Sequence, residues 1–147
     1  MRMLLILMVV IALFCCPGCG GESMPPVGGV VTMDGEPLEG VMVMFSPKGA
    51  GSPAVAVTKA DGSFAVQETT GDGIGALAGN YVVTFSKMEA RWDGRSYEID
   101  PETQERVQVI RGYQTLPNIY TNQSTTPFGA SVDTNNYRFT FELKSNP

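Results

Sequence analysis

The side chains available for chemistry in this chain of 147 residues are fifteen carboxylates, three cysteines and ten lysines or arginines, and histidine is absent. The absence of histidine excludes Ser-His and Cys-His nucleophile pairs and every histidine-ligated metal site. Serine, threonine and lysine remain as nucleophiles, but none of them has a base at a recognisable spacing. Glu98 and Asp100 are a candidate acid and base for glycoside cleavage, although such short-range pairs arise often in charged segments. We therefore predict no enzyme activity and no catalytic residue, with an unrecognised hydrolase as an alternative.

Metal and phosphate sites also need particular spacings. Asp34, Glu36, Asp61 and Asp72 carry the oxygen donors that calcium prefers, but no spacing among them matches an ordered calcium loop. Capping of turns accounts for these acids better. The glycine-rich run 71–79 lacks the lysine and the helix that follow a phosphate-binding loop. The sequence therefore predicts no metal and no cofactor.

The first residues of the chain have the composition of a targeting segment. Arg2 supplies a positive charge, and an unbroken apolar run covers residues 3–14, which is the length of a signal-peptide core. A membrane-spanning helix needs about twenty such residues. All three cysteines follow at once, so they cannot join distant parts of a core. We predict a signal peptide over 1–18 and a flexible tether over 19–26.

This arrangement resembles a bacterial lipoprotein signal, in which an apolar stretch and a small residue precede a cysteine that is lipidated. Cys19, which follows Gly18, is the first candidate, and Cys16, with Leu13 three residues before it, is the second. Cys16 and Pro17 depart from the pattern, because they stand where the family prefers leucine and then alanine or serine. The resemblance implies a membrane-anchored protein of the cell envelope that faces the periplasm or the exterior. An ordinary secretory signal and an uncleaved anchor are the alternatives.

The rest of the chain is typical of an all-β domain. Seventeen glycines and ten prolines favour short elements joined by turns, and about seven strand signals recur at the spacing of an antiparallel β-sandwich. The segment 41–45 is apolar on both faces, which indicates a central strand. We therefore predict one antiparallel β-sandwich domain over 27–147.

Two hairpins are predicted within this domain. Segments 54–58 and 63–67 flank the first turn, and segments 130–133 and 137–143 flank the second. Alternation of apolar and polar residues predicts which side chains face the core. In the first hairpin they are Val55, Val57, Phe64 and Val66, and in the last strand they are Tyr137, Phe139, Phe141 and Leu143.

The segment 88–111 lacks the regularly spaced strand signals of the rest of the domain and is predicted to be a long charged loop. Between residues 87 and 111, 11 positions are charged, and Asp100 followed by proline suggests one or two helical turns. Long loops on a rigid scaffold commonly carry binding residues. The candidate partner contacts are Trp92, Tyr97, Tyr113, Arg91 and Arg95. The alternative is that the rings cover the edge of the sandwich and that the arginines pair with neighbouring acids.

Three stretches, 27–45, 58–64 and 71–84, resemble the carboxypeptidase regulatory-like domain, a transthyretin-like, immunoglobulin-like β-sandwich. The resemblance extends to bacterial lipoproteins that carry one such domain, and it includes the closing segment 116–128. It implies a non-catalytic structural or protein-interaction module whose partner is another envelope protein. A transthyretin-related hydrolase shares the fold, but that branch depends on histidines, which this chain lacks.

A carbohydrate-binding module at the cell surface is the second functional hypothesis, with Trp92 and the nearby tyrosines stacking on a polysaccharide. Nucleic acid is not an expected partner, because the chain has a net charge of −5 and no basic stripe.

Overall fold

The computed structural model of the protein describes residues 25–68 and 75–147. In these ranges the chain is mostly β, with eleven strands and one short helix. The elements are β1 (Gly28–Met33), β2 (Glu36–Pro37), β3 (Met42–Pro47), β4 (Ala54–Val57), β5 (Ser63–Ala65), β6 (Gln67–Glu68), β7 (Gly79–Ser86), β8 (Met88–Ile99), β9 (Arg106–Gln114), α1 (Asn118–Thr121), β10 (Gly129–Val132) and β11 (Arg138–Leu143). The predicted signal peptide 1–18 and the lipidation candidates Cys19 and Cys16 lie outside the described residues, as do the first four residues of the run 71–79.

The seven strand signals in the sequence correspond to β1, β3, β4, β5, β7, β10 and β11, which confirms the prediction of an all-β domain. Three further strands, β2, β8 and β9, are missing from that prediction, and β6 overlaps the predicted segment 63–67 only at Gln67. β2 and β6 have two residues each, which is too short for an alternation pattern to be recognised. β8 and β9 lie in the segment predicted to be a loop.

One sheet is built around β1, which pairs with β11 on one side and with β2 and β5 on the other. Asp34 and Gly35 form the turn between β1 and β2, and their φ angles of 52° and 92° are those of the turn that two-residue hairpins favour. The pair of β1 with β11 is parallel, with Gly28 opposite Arg138. The expectation of a purely antiparallel domain is therefore wrong for this pair, because the chain crosses between sheets before it returns to β1.

The second sheet has five strands in the order β10-β7-β3-β4-β6, and all of its pairs are antiparallel. β3 lies at its centre, as the apolar segment 41–45 predicted. The inner faces of the two sheets share one apolar core. Phe45 of β3 contacts Phe64 of β5 and Phe141 of β11, with ring centroids 6.2 Å apart in both cases.

The second predicted hairpin is a corner between the two sheets, and the first is a corner only in part. The first turn forms as expected, since the Lys59 N–H donates to the Ser63 carbonyl at 2.8 Å, and Gln67 at the end of the predicted segment 63–67 pairs with Val55. The residues between them form β5, which pairs with β1 in the other sheet. In the second turn the Asp133 N–H donates to the Asn136 carbonyl at 3.1 Å, but β10 pairs with β7 and β11 with β1. Local sequence specified these turns, and the core determined where the flanking strands go.

The predicted inward face of β4 is also wrong. Ala54 and Ala56 are buried, whereas Val57 is 59% exposed and Val55 is half-buried. The register of the sheet explains this, because Ala54 lies opposite Phe45, whose large ring fills the space between the sheets. The remaining predicted core positions are correct: Phe64, Val66, Phe141 and Leu143 are buried, and Tyr137 and Phe139 pack partly buried against the core.

Thr58 connects the end of β4 to the segment that crosses from the first sheet to the second. Its side chain is buried. The hydroxyl accepts a hydrogen bond from the Val41 N–H at 2.9 Å and donates to the Leu38 carbonyl at 2.6 Å. This residue therefore satisfies two main-chain groups at the crossover.

The segment 88–111, predicted to be a long charged loop, lies instead in a β-hairpin made by β8 and β9. Residues 100–105 form its turn, in which the Asp100 carboxylate accepts hydrogen bonds from the Glu102 and Thr103 N–H groups, so the predicted helical turns are also wrong. The physical reason is a period of two: charged residues in β8 alternate with apolar ones on the opposite face. β8, β9 and the turn between them are called the ribbon below.

Candidate functional site

The ribbon is the longest exposed element of the described chain. It begins directly after β7, and its strands pair with each other and with no other strand in residues 25–68 and 75–147. Nine residues of β9 extend over about 30 Å. Almost every residue of the ribbon is exposed or only half-buried, so both of its faces are available for contacts.

One face of the ribbon is apolar and aromatic. Residues that oppose each other across two antiparallel strands share a face, and successive residues alternate between faces. Trp92 opposes Ile110, and the Trp92 ring meets the Tyr97 ring edge to face with centroids 5.4 Å apart. The aromatic face, as we call it, is formed by Met88, Trp92, Tyr97, Ile99, Arg106 and Ile110. The smaller or polar residues Ala90, Gln108, Gly112 and Gln114 lie on the same face.

The exposure of the aromatic face is large for apolar side chains. Tyr97 is 40% exposed, Ile99 and Ile110 are each 56% exposed, and Met88 is 62% exposed. Arg106 places its guanidinium 4.3 Å from the centroid of the Tyr97 ring, which is within the range of a cation–π contact. The face therefore combines several exposed apolar side chains with one cation.

A bulge in β8 brings Trp92 and Tyr97 together. The Asp93 carboxylate accepts hydrogen bonds from the Arg95 N–H at 2.8 Å, from the Ser96 N–H at 2.7 Å and from the Ser96 hydroxyl. The indole Nε1–H of Trp92 donates to the Ser96 carbonyl at 3.0 Å. These bonds fix the extra residues of the bulge. They also lower the pKa of Asp93 to about 2, and the hydrogen bond from the Ser96 hydroxyl contributes most to this change.

The opposite face carries charges and is called the arginine face. Arg91 lies directly opposite Arg111, an arrangement that is unfavourable for like charges. The guanidinium of Arg91 lies 5.3 Å from the centroid of the Tyr113 ring. Within the described ranges the ion pairs join Lys87 to Glu89 and Lys144 to Glu142. No arginine of the ribbon forms an ion pair there, contrary to the expectation that the arginines pair with neighbouring acids. For Arg91 and Arg111 the strand geometry explains this, because it places the two arginines opposite each other.

The structure divides the five predicted contact residues between these surfaces. Trp92 and Tyr97 lie together on the aromatic face, Arg91 and Tyr113 lie together on the arginine face, and Arg95 belongs to the bulge. Sequence reasoning missed Met88, Ile99, Arg106 and Ile110. Alternation of apolar and charged residues on either side of the bulge, in 88–92 and in 97–99, was a signal for Met88 and Ile99. Arg106 and Ile110 have no such signal, because they join this face only through the register of β9 against β8.

Asp100, one of the two residues of the candidate acid and base pair, caps the turn of the ribbon. Asp100 accepts two main-chain hydrogen bonds, of which that from Thr103 contributes most to lowering its pKa, whereas a general acid in glycoside cleavage needs a raised one. Glu98 opposes Val107 on the strand. In the part of the chain that the structure describes, no three metal-ligating side chains cluster.

The one short helix in the described ranges is too short to cross a membrane. Comparison of the chain with protein-family profiles, with curated proteins and with solved structures finds no match.

Proposed function

We propose that this protein is a non-catalytic, lipid-anchored interaction module of the cell envelope, and that the ribbon is its contact surface. The proposal rests on one observation, which is the aromatic face, where Tyr97, Ile99 and Ile110 are exposed beside the half-buried Trp92. A hairpin of two strands is only marginally stable in water, and contiguous exposed apolar surface marks interaction sites. A partner that covers this face would both stabilise the ribbon and be recognised by it.

The body that carries the ribbon is proposed to be a transthyretin-like β-sandwich. The two sheets with a shared core, the seven predicted strands and the turn at Asp34 and Gly35 support this. Because β7 belongs to the central part of one sheet and runs directly into β8, the rigid body sets the direction of the ribbon.

The anchor is proposed to be an acylated cysteine, Cys19 or secondarily Cys16, at the start of the mature protein. The apolar run 3–14 and the small residues around Cys19 support it. Two or three acyl chains hold a small domain on a membrane, and the tether 19–26 would keep the domain close to the surface that faces the periplasm or the exterior. The intact mass of protein extracted from membranes should show acyl chains on a cysteine, and an unmodified mature N-terminus would refute the anchor.

The chemistry of the aromatic face favours a protein partner. Tryptophan, tyrosine and arginine dominate the energetics of protein interfaces, and Trp92, Tyr97 and Arg106 lie together here. A polysaccharide requires rings that stack on the flat faces of sugars, but Trp92 and Tyr97 are tilted by 70° to each other. We therefore favour an envelope protein with an apolar groove beside an acidic group.

Two double variants of the full chain test this proposal. Tyr97→Thr with Ile99→Thr removes large side chains from the aromatic face, and Val107→Thr with Val109→Thr places two threonines on the arginine face as the control. Threonine retains a preference for strands, so the ribbon should persist in both. Crosslinking in cells followed by pull-down, read out for proteins and for polysaccharide, measures capture.

We expect the Tyr97/Ile99 variant to lose at least about tenfold of partner capture, since each buried apolar side chain contributes about 1.5–3 kcal/mol. The Val107/Val109 variant should retain most of it. Equal capture by both variants would contradict the aromatic face as the contact surface. Capture of polysaccharide in place of a protein would establish the carbohydrate-binding alternative.

A further inference from the structure

The outer edge of β9 is the longest regular strand edge in the described residues. Other edge strands are short: β10 has four residues, β5 three, and β2 and β6 two each, while β11 has six. β8 is longer but is interrupted by its bulge. β9 has nine residues without a bulge, a proline or a lysine, which are three of the devices that protect edges from pairing. Its charged residues are Arg106 and Arg111.

Hydrogen bonds at the two ends of the ribbon identify which groups of β9 face outward. The Thr115 N–H donates to the Lys87 carbonyl at the base, and the Asp100 N–H donates to the Glu105 carbonyl at the tip, both at 2.9 Å. In an antiparallel pair, bonded and non-bonded residues alternate. The odd-numbered residues of β9 therefore bond to β8, and the outward N–H and carbonyl groups belong to Arg106, Gln108, Ile110, Gly112 and Gln114.

We infer that the β9 edge pairs with the β9 edge of a second copy of this chain, antiparallel about a twofold axis at Ile110. In this register Ile110 opposes itself, Gln108 opposes Gly112 of the second copy, and Arg106 opposes Gln114 of the second copy. All nine residues are paired, and every outward main-chain group of the strand has a partner. Self-complementarity of this kind is what a twofold interface requires.

The charges of β9 are compatible with this register. Arg111 opposes Val109 of the second copy, so no two arginines meet directly. A shift that centres the axis on Arg111 would oppose the two Arg111 side chains, which is unfavourable. The sequence of β9 thus favours the register that also uses the whole strand.

Pairing at this edge joins two ribbons into one four-stranded sheet. Antiparallel neighbours related by a twofold axis normal to the sheet present the same face, so the two aromatic faces become continuous. A row Trp92–Ile110–Ile110–Trp92 then crosses the sheet, because Trp92 already opposes Ile110 within each ribbon. The inference goes beyond the proposed function, since the merged aromatic faces remain open to an envelope partner.

The pairing is expected to be weak in dilute solution. A strand edge is smaller than the interfaces of about 1,600 Å² that hold stable complexes. On a membrane, where the proposed anchor confines the copies to one surface, the effective concentration is higher. The pairing is therefore tested in cells with the full chain.

Single cysteines test the register by disulfide formation after addition of an oxidant. Ile110→Cys places two thiols across the axis, at a separation that a disulfide spans. Gln108→Cys alone places its two copies more than about 13 Å apart, which is too far, whereas Gln108→Cys with Gly112→Cys brings opposite thiols together. All variants keep the three native cysteines, so the unsubstituted chain gives the background.

These substitutions are compatible with the fold. Ile110 is 56% exposed, and a Cβ at Gly112 approaches only the terminal methyl carbon of Met88, at 3.2 Å, which can move aside. Tyr97 is an exposed position on β8, so a Tyr97→Cys variant measures the disulfide formation that random collisions between chains produce.

We expect a reducible dimer at least about tenfold above background for Ile110→Cys and for the Gln108/Gly112 double variant, with Gln108→Cys and Tyr97→Cys at background. Equal dimer formation by Gln108→Cys and Ile110→Cys would overturn the inference. Linkage of the Ile110→Cys variant only to a different protein would overturn it as well, and would assign the edge to a strand of that protein. Neither outcome affects the test of the aromatic face, which measures partner capture and not disulfide formation.

Discussion

Replacing Thr58 by valine isolates the contribution of one hydroxyl to the connection between the two sheets. Valine has nearly the same shape, so the core packing is retained, but the Val41 N–H and the Leu38 carbonyl lose the hydroxyl that now bonds them at 2.9 and 2.6 Å. A buried main-chain group without a partner costs about 1–3 kcal/mol. For the two groups together we expect the free energy of unfolding to fall by about 2–4 kcal/mol.

Thr58→Ser is the matched control, because it keeps the hydroxyl and loses only a methyl group, at a cost of about 1 kcal/mol. Equilibrium unfolding in urea, followed by far-UV circular dichroism, measures both variants, and the slope of the transition should stay unchanged. A valine variant that is no less stable than the serine variant would refute the view that the Thr58 hydroxyl satisfies the Val41 N–H and the Leu38 carbonyl at the crossover.

Three further predictions concern the ribbon and the first sheet. An NMR titration should place the pKa of Asp93 at about 2. The ionised Asp93 carboxylate therefore stabilises the fold fully above pH 3.8, and this stabilisation is lost as the pH falls towards 2. Ser96→Ala should raise the pKa of Asp93, and an unchanged pKa would contradict the assigned cause. Amide hydrogens of β8 and β9 should exchange at least about 100-fold faster than those of β3; equal protection would mean that the ribbon is covered. Gly29→Ala should prevent folding, since a Cβ at this position would lie 1.8 Å from the Phe139 carbonyl oxygen. Gly49→Ala should fold, because a Cβ there has nothing within 4 Å. Circular dichroism distinguishes the two variants, and a folded Gly29→Ala protein would contradict the close approach of β1 to β11.

Local patterns predicted the strands of the body because each pattern reports one strand at a time. The period of two in 137–143 identified Phe141 and Leu143 as core residues, and the acid-glycine pair Asp34 and Gly35 identified a turn. Which strands pair is a property of the whole core. The turns at 59–62 and 133–136 are both correct, yet the strands that leave them enter different sheets.

Residue types in the sequence identified part of the candidate site, but they did not predict how its side chains are arranged. Trp92 and Tyr97 are large aromatic residues in a charged segment, and this alone makes them candidate contacts. Their arrangement depends on the bulge that Asp93 and Ser96 stabilise, and no alternation pattern runs through a bulge. Ile110 joins them only because β9 pairs with β8 in a particular register.

The parallel pair of β1 and β11 also determines when, during synthesis, the domain can close. Gly28 and Arg138 are partners in that pair although nearly the whole domain separates them in the chain. At about 5–20 residues per second, several seconds or more of translation pass between them. During that time one side of β1 has no neighbour, and such an edge is open to wrong pairing. The last strand to be synthesised completes the surroundings of the first, and a chain that stops before Arg138 leaves the central strand of its sheet open along one side.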